Sequence, residues 1–193
     1  MTTTRLPKPF APDELERLYS AASARPDVAA AMRFLHETGL RIAEACAISS
    51  AEAGAWPHPP RWCRRPGCRR HGRVVLRVIG KGDRERVVIL TPAALRSARV
   101  LLSHTSNGRL MPWTDRGVRF LFDQVGRAAG VHCFPHRFRH SYASELVESG
   151  VPIEVVADML GHSTVEITRL YWVASERAKV AALARRRRWL RRR

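Results

Sequence analysis

At 193 residues and 45% hydrophobic composition, the chain suits one domain with its own core and is too apolar for a disordered polypeptide. No apolar run approaches the roughly 20 residues of a membrane-spanning helix, and the polar start, Met1 to Lys8, lacks the apolar centre of a signal peptide, so a cytoplasmic, nucleoid-associated protein is expected. Lys and Arg total 34 against 17 Asp and Glu, a net charge of +17 that favours a polyanionic partner, nucleic acid first, although solubility or ribosome association would need the same charge.

In chain order, Asp13 to Ala22 reads as a helix with Leu15, Leu18, Tyr19 and Ala22 on one stripe. A second helix runs from Asp27 to Thr38, with Val28, Met32 and Leu35 inward, and Gly39 stops it. Arg41 to Cys46 begins a short third. Ala51 to Gly72 has no periodicity and many prolines, so it reads as a loop insertion. Val74–Ile79 and Arg86–Leu90 are β-rich runs about the turn Gly80 to Glu85, a hairpin. The remainder is helical: Pro92 to Leu102, a helix marked by Val118, Leu121, Phe122 and Val125 whose end Gly126 and Gly130 loosen, and Pro135 to Glu148. A further helix starts at Pro152, buries Ile153, Val156, Ala157 and Leu160, and stops at Gly161. Thr164 can cap a short helix that ends near Tyr171, and residues 176–193 close the chain in a basic segment. The fold class is α+β, mainly helical, with a small antiparallel sheet.

A site that handles a phosphodiester needs fixed cations for the equatorial oxygens, a nucleophile, an acid and a base. His136 and Arg139 share a helix face at i, i+3, and His140 joins that face or turns to the core. Taken singly these are ordinary surface features, Gly80-Lys81-Gly82 is an ordinary turn, and Tyr171 reads as a packed aromatic.

In order, the motifs resemble those of the tyrosine recombinases of the phage-integrase family. Thr38-Gly39-Leu40-Arg41-Ile42-Ala43-Glu44 resembles the first arginine motif, and Gly80 to Arg86 the hairpin lysine. Pro135-His136-Arg137-Phe138-Arg139 resembles the His-x-x-Arg box. Leu160-Gly161-His162-Ser163 matches the second histidine motif, with Tyr171 nine residues later. The resemblance spans Pro7 to Ala178 and implies a catalytic domain over residues 11–175, after an N-terminal tail of residues 1–10.

It implies roles too. Tyr171 attacks the scissile phosphate and forms a 3′-phosphotyrosyl link, Arg41 and Arg139 clamp the non-bridging oxygens, and Lys81 protonates the leaving 5′-oxygen. His136 assists removal of the Tyr171 proton and His162 hydrogen-bonds the phosphate. Glu44 braces Arg41 or His136, or is a surface ion pair. No cofactor is required. The implied partner is double-stranded DNA, bound by a homodimer at each core site and a tetramer at synapsis, with accessory proteins in some relatives. The implied activity is strand exchange in integration, excision or resolution.

Three departures stand out. The N-terminal clamp domain of full-length relatives has no counterpart before the motif that starts near Leu6, which fits a fragment, a minimal member or half of a split protein. The insertion at 51–72 stands where relatives have a strand. It carries His58, Cys63, Cys68 and His71, a candidate structural zinc set; the alternative is unligated cysteines in an Arg-rich loop. Trp172-Val173 stands where relatives often have Thr-His. Residues 176–193 are either a helix that docks on a neighbouring protomer or a basic tail along phosphates. Rival readings are a type IB topoisomerase and a non-catalytic DNA-binding module.

Overall fold

The computed structural model describes residues 8–56, 74–79 and 85–161. Among these residues, eight helices and two strands follow in order: α1 (Pro12–Ala21), α2 (Pro26–Thr38), α3 (Ile42–Ala47), α4 (Ser50–Gly54), β1 (Val75–Ile79), β2 (Glu85–Ile89), α5 (Pro92–Leu102), α6 (Asp115–Ala129), α7 (Pro135–Glu148) and α8 (Ile153–Leu160).

Helix α2 is apolar on most sides and forms the centre, packed against α5 and α7. Proline opens α1, α2, α5 and α7, where its missing N–H costs nothing. Phe138 of α7 joins the layers, its ring 4.7 Å from Phe10 and 5.4 Å from Phe122. A smaller cluster of Ala143, Val147, Val156 and Leu160 seals α8 onto α7. Ahead of α1, Phe10 donates its amide to Ser141 Oγ, and Arg137 reaches Glu14 at 2.6 Å and the carbonyls of Lys8 and His132. Arg137 therefore clasps the start of the domain to α7.

The strands pair antiparallel with Val75 opposite Ile89 and Ile79 opposite Glu85. Alternation buries Leu76, Val78, Arg86 and Val88, and β2 packs on α8. Both strands differ by one residue from the expected limits, although Leu90 still donates its amide to the Val74 carbonyl.

Two expectations need correction. The loop expected from Ala51 starts as helix α4, because Ser49 Oγ caps the Glu52 amide. Gly126 does not loosen α6. It lies inside that helix, where a Cβ would come 2.5 Å from the Val131 carbonyl oxygen and 2.8 Å from Cys133 Cβ. The bare Cα lets the chain double back after α6.

Helix propensity alone predicts that Gly126→Ala stabilises the domain by about 1 kcal/mol. The close backbone approach reverses the sign: the variant should lose about 1–3 kcal/mol in urea unfolding.

Candidate functional site

Helix α8 ends at Gly161, whose φ of 64° is left-handed. Its terminal carbonyls have no partner within the helix and carry the negative end of its dipole. Three arginines from three other elements meet them. Arg86 Nε of β2 donates to Met159 O at 3.2 Å, Arg139 Nη2 of α7 to Leu160 O at 2.6 Å, and Arg41 Nη2 to Gly161 O at 3.4 Å. Successive carbonyls thus gather three guanidiniums. Gly161 is required here twice, for its φ and because a Cβ would come 2.8 Å from Arg86 Cδ.

Glu44 ties two of the three together. Its carboxylate accepts from Arg41 Nη1 at 2.9 Å, from Arg86 Nη1 and Nη2 at 2.8 and 2.6 Å, and from the Arg41 amide at 2.7 Å. Burial by itself raises its pKa. The hydrogen bonds from Arg86 and from Arg41, with the charge of Arg86, outweigh this and pull the carboxyl down to about 2. The surface-pair alternative for Glu44 is corrected: its side chain is 7% exposed and braces Arg41, not His136.

Arg139 lies deepest. It is 1% exposed and also donates to Gly39 O at 2.7 Å. Gly39 can take no side chain, since its φ is 62° and a Cβ would collide with the Tyr142 ring. Arg41 is the accessible member, with a side chain 34% exposed. It lines a cleft of about 230 Å³ with His136, Pro135, Arg119 and Asp115. Helix α7 turns its N-terminus into this cleft, and Phe134 at that end supplies no capping side chain, so the electrostatics favour an anion.

His136 stands at the rim, open to solvent on one side. Crowding by neighbouring atoms, then the charges of Arg139, Arg41 and Arg119, hold its pKa below the ordinary imidazole value. The shift favours its neutral form, which is able to accept a proton. His140 turns to the core, its ring edge-on to His136 at 4.6 Å.

Arg41, Glu44, His136 and Arg139 are therefore brought together. Lys81, His162 and Tyr171, and the zinc set His58, Cys63, Cys68 and His71, lie outside the described residues. No cluster of three metal-ligating side chains occurs among the described residues. No described helix is long and apolar enough to cross a membrane. Arg86 lies outside the expected site; the signal for it is its alternation with Val88 and Leu90, which puts an arginine on the inward face of β2.

The pattern that defines the Phage integrase family matches residues 68–177, more than half of the chain. The chain belongs to the phage integrase family. It is 29% identical over 178 residues to the tyrosine recombinase XerA of Thermococcus kodakarensis, covering 86% of this chain and 58% of that one. The fold matches the crystal structure of a XerA recombinase with a TM-score of 0.70 at 23% identity, over 96% of this chain and 67% of that one. It also matches a XerH site-specific recombinase bound to its difH substrate in a pre-cleavage complex, with a TM-score of 0.63 at 21% identity, over 95% and 55%. The chain spans about half the length of the curated relatives it matches.

Removal of the Glu44 carboxylate leaves Arg86 buried without its counter-charge, so Glu44→Ala should cost about 3–5 kcal/mol in denaturant unfolding. The depressed pKa fixes the pH window: the stabilisation is full above the ordinary value of 4.5 and fades as pH falls to about 2. The stability gap between wild type and Glu44→Gln should close over that range. A gap independent of pH would show that the carboxylate charge contributes nothing.

Proposed function

We propose that the chain is the catalytic part of a site-specific DNA recombinase that breaks and rejoins strands through a 3′-phosphotyrosyl link. The cleft that Arg41 and His136 line, with Arg139 buried behind it on the last carbonyls of the helix that leads directly into His162, carries this reading.

The chemistry follows from the charges. Tyr171 Oη would attack phosphorus while the bond to the 5′-oxygen breaks. His136 takes the phenol proton, and Lys81, as in the family motif, supplies a proton to the departing 5′-oxygen. Charge that builds on the non-bridging oxygens meets Arg41 at the cleft and Arg139 beneath it. For Arg139 to touch phosphate, its guanidinium would exchange a backbone carbonyl for a phosphate oxygen. His162 completes the set as a donor to phosphate. A phenolate leaves more readily than an alkoxide, so the reverse attack by a 5′-hydroxyl rejoins the strand with no outside energy source.

The other tyrosines support the assignment of the nucleophile. The chain has three. Burial pushes the phenols of Tyr19 and Tyr142 up to about 12. Tyr19 lies under the Arg33 guanidinium, and the Tyr142 ring fills the space beside Gly39. Tyr171 is the remaining phenol.

The net charge of +17 suits double-stranded DNA as partner. The similarity to a XerH recombinase bound to its substrate supports the same ligand. We extend this to a dimer on each core site and a tetramer at synapsis, with accessory proteins in some settings.

A nicked suicide substrate tests the proposal. Wild type and Tyr142→Phe should form a covalent adduct, whereas Tyr171→Phe should bind the DNA and form none. An adduct in Tyr171→Phe would move the nucleophile elsewhere. Arg41→Ala should lower the cleavage rate about 10²–10³-fold with much less effect on DNA affinity, because its strongest contact forms in the transition state. Loss of binding instead would make Arg41 a docking residue.

A further inference from the structure

The two guanidiniums that share Glu44 do not share it equally. Arg86 donates to both carboxylate oxygens in the two-pronged geometry that gives the strongest arginine–carboxylate pairs. The Arg41 side chain donates to Oε1 alone. The same oxygen also takes the Arg86 Nη1 proton, and Oε2 takes the Arg41 amide. The carboxylate therefore has four donors and no room for a second prong from Arg41.

The accessibility of the two arginines differs just as clearly. The Arg86 side chain is 5% exposed, whereas that of Arg41 is 34% exposed and lines the cleft. Arg86 is also fixed from every side: β2 turns it inward, Met159 O accepts its Nε, and the missing Cβ of Gly161 makes its slot. It cannot itself reach a ligand in the cleft.

We infer that Arg86 is a positioning residue for the phosphate site: it occupies Glu44 through both oxygens and so keeps that carboxylate from closing a two-pronged pair with Arg41. One carboxylate against one guanidinium is a neutral pair. Against two guanidiniums it leaves a net positive charge, and the looser partner, Arg41, is the one that faces the cleft. Arg41 thus keeps both its charge and an outward edge for a phosphate oxygen. With Arg86 gone, Glu44 would turn onto Arg41 and cancel the charge that the cleft offers. The consequence for catalysis rests on the recombinase reading, but the electrostatics concern any phosphate oxyanion in the cleft.

The full chain is compared as wild type, R86Q, R86K and the double variant R86Q/E44Q. Single-turnover cleavage of the nicked DNA at saturation is set beside DNA affinity. Inorganic phosphate is titrated separately, with the Arg41 side chain followed by NMR. R86Q should cleave at least about tenfold more slowly and bind inorganic phosphate about tenfold more weakly, with DNA affinity within about threefold. R86K keeps a charge but offers no fork, so its phosphate affinity should fall by a smaller factor. The double variant should cleave faster than R86Q, because the carboxylate that would silence Arg41 is gone; a purely structural role for Arg86 predicts no such recovery in folded protein.

The inference is overturned if R86Q matches wild type in cleavage and phosphate binding, or if R86Q/E44Q cleaves no faster than R86Q. Should R86Q fail to fold, R86K decides through the phosphate titration, and wild-type affinity in R86K overturns the inference. Phosphate affinities that follow the expected order across the variants, while the wild type forms no DNA adduct, would refute the recombinase reading and leave the role of Arg86 standing.

Discussion

A single buried carboxylate and one helix end hold the site together. Three guanidiniums in close quarters repel one another, and each needs a counter-charge or a carbonyl to remain desolvated. Glu44 supplies the charge and the C-terminus of α8 supplies the carbonyls, so Arg41, Arg86 and Arg139 settle where they would otherwise separate. These hydrogen bonds are formed without any ligand. For Arg41 such placement matters in phosphoryl transfer, because a cation already at the cleft need not move as charge builds on the phosphate.

The same contacts join distant parts of the chain. Glu44 and Arg41 come from the start of α3, Arg86 from the hairpin strand, Arg139 from α7, and the carbonyls from α8. The glycines of the motifs are part of this joinery. Gly39 lets Tyr142 lie on its Cα while its carbonyl holds Arg139, and Gly161 lets Arg86 pass beside the end of α8. They are kept small by their neighbours as much as by backbone conformation.

What was legible in the sequence was local. The helices announced themselves through apolar stripes, prolines at first turns and glycines at stops, and the Arg41–Glu44 contact spans three residues within one helical turn. Long-range contacts carried no such mark. Arg137 sits inside the His-x-x-Arg motif, yet its partners are Glu14 and the backbone near Pro9, far away in the chain. Arg86 opens the second β-rich run, where its parity with Val88 places it inward, but nothing local to it points to Glu44. Gly126 read as a helix weakener because the segment that folds back onto it lies beyond the helix. Helix α4 is too short for periodicity, and its one local signal is the capping pattern of Ser49 and Glu52.

The account stands or falls on where the phosphate sits and what Glu44 holds when it is there. A crystal structure of the Tyr171→Phe protein bound to its DNA measures both at once. The expected result is a phosphate oxygen about 3 Å from the Arg41 guanidinium, with Glu44 still paired through both oxygens to Arg86. A phosphate elsewhere on the surface, or Glu44 closed in a two-pronged pair on Arg41, would contradict it.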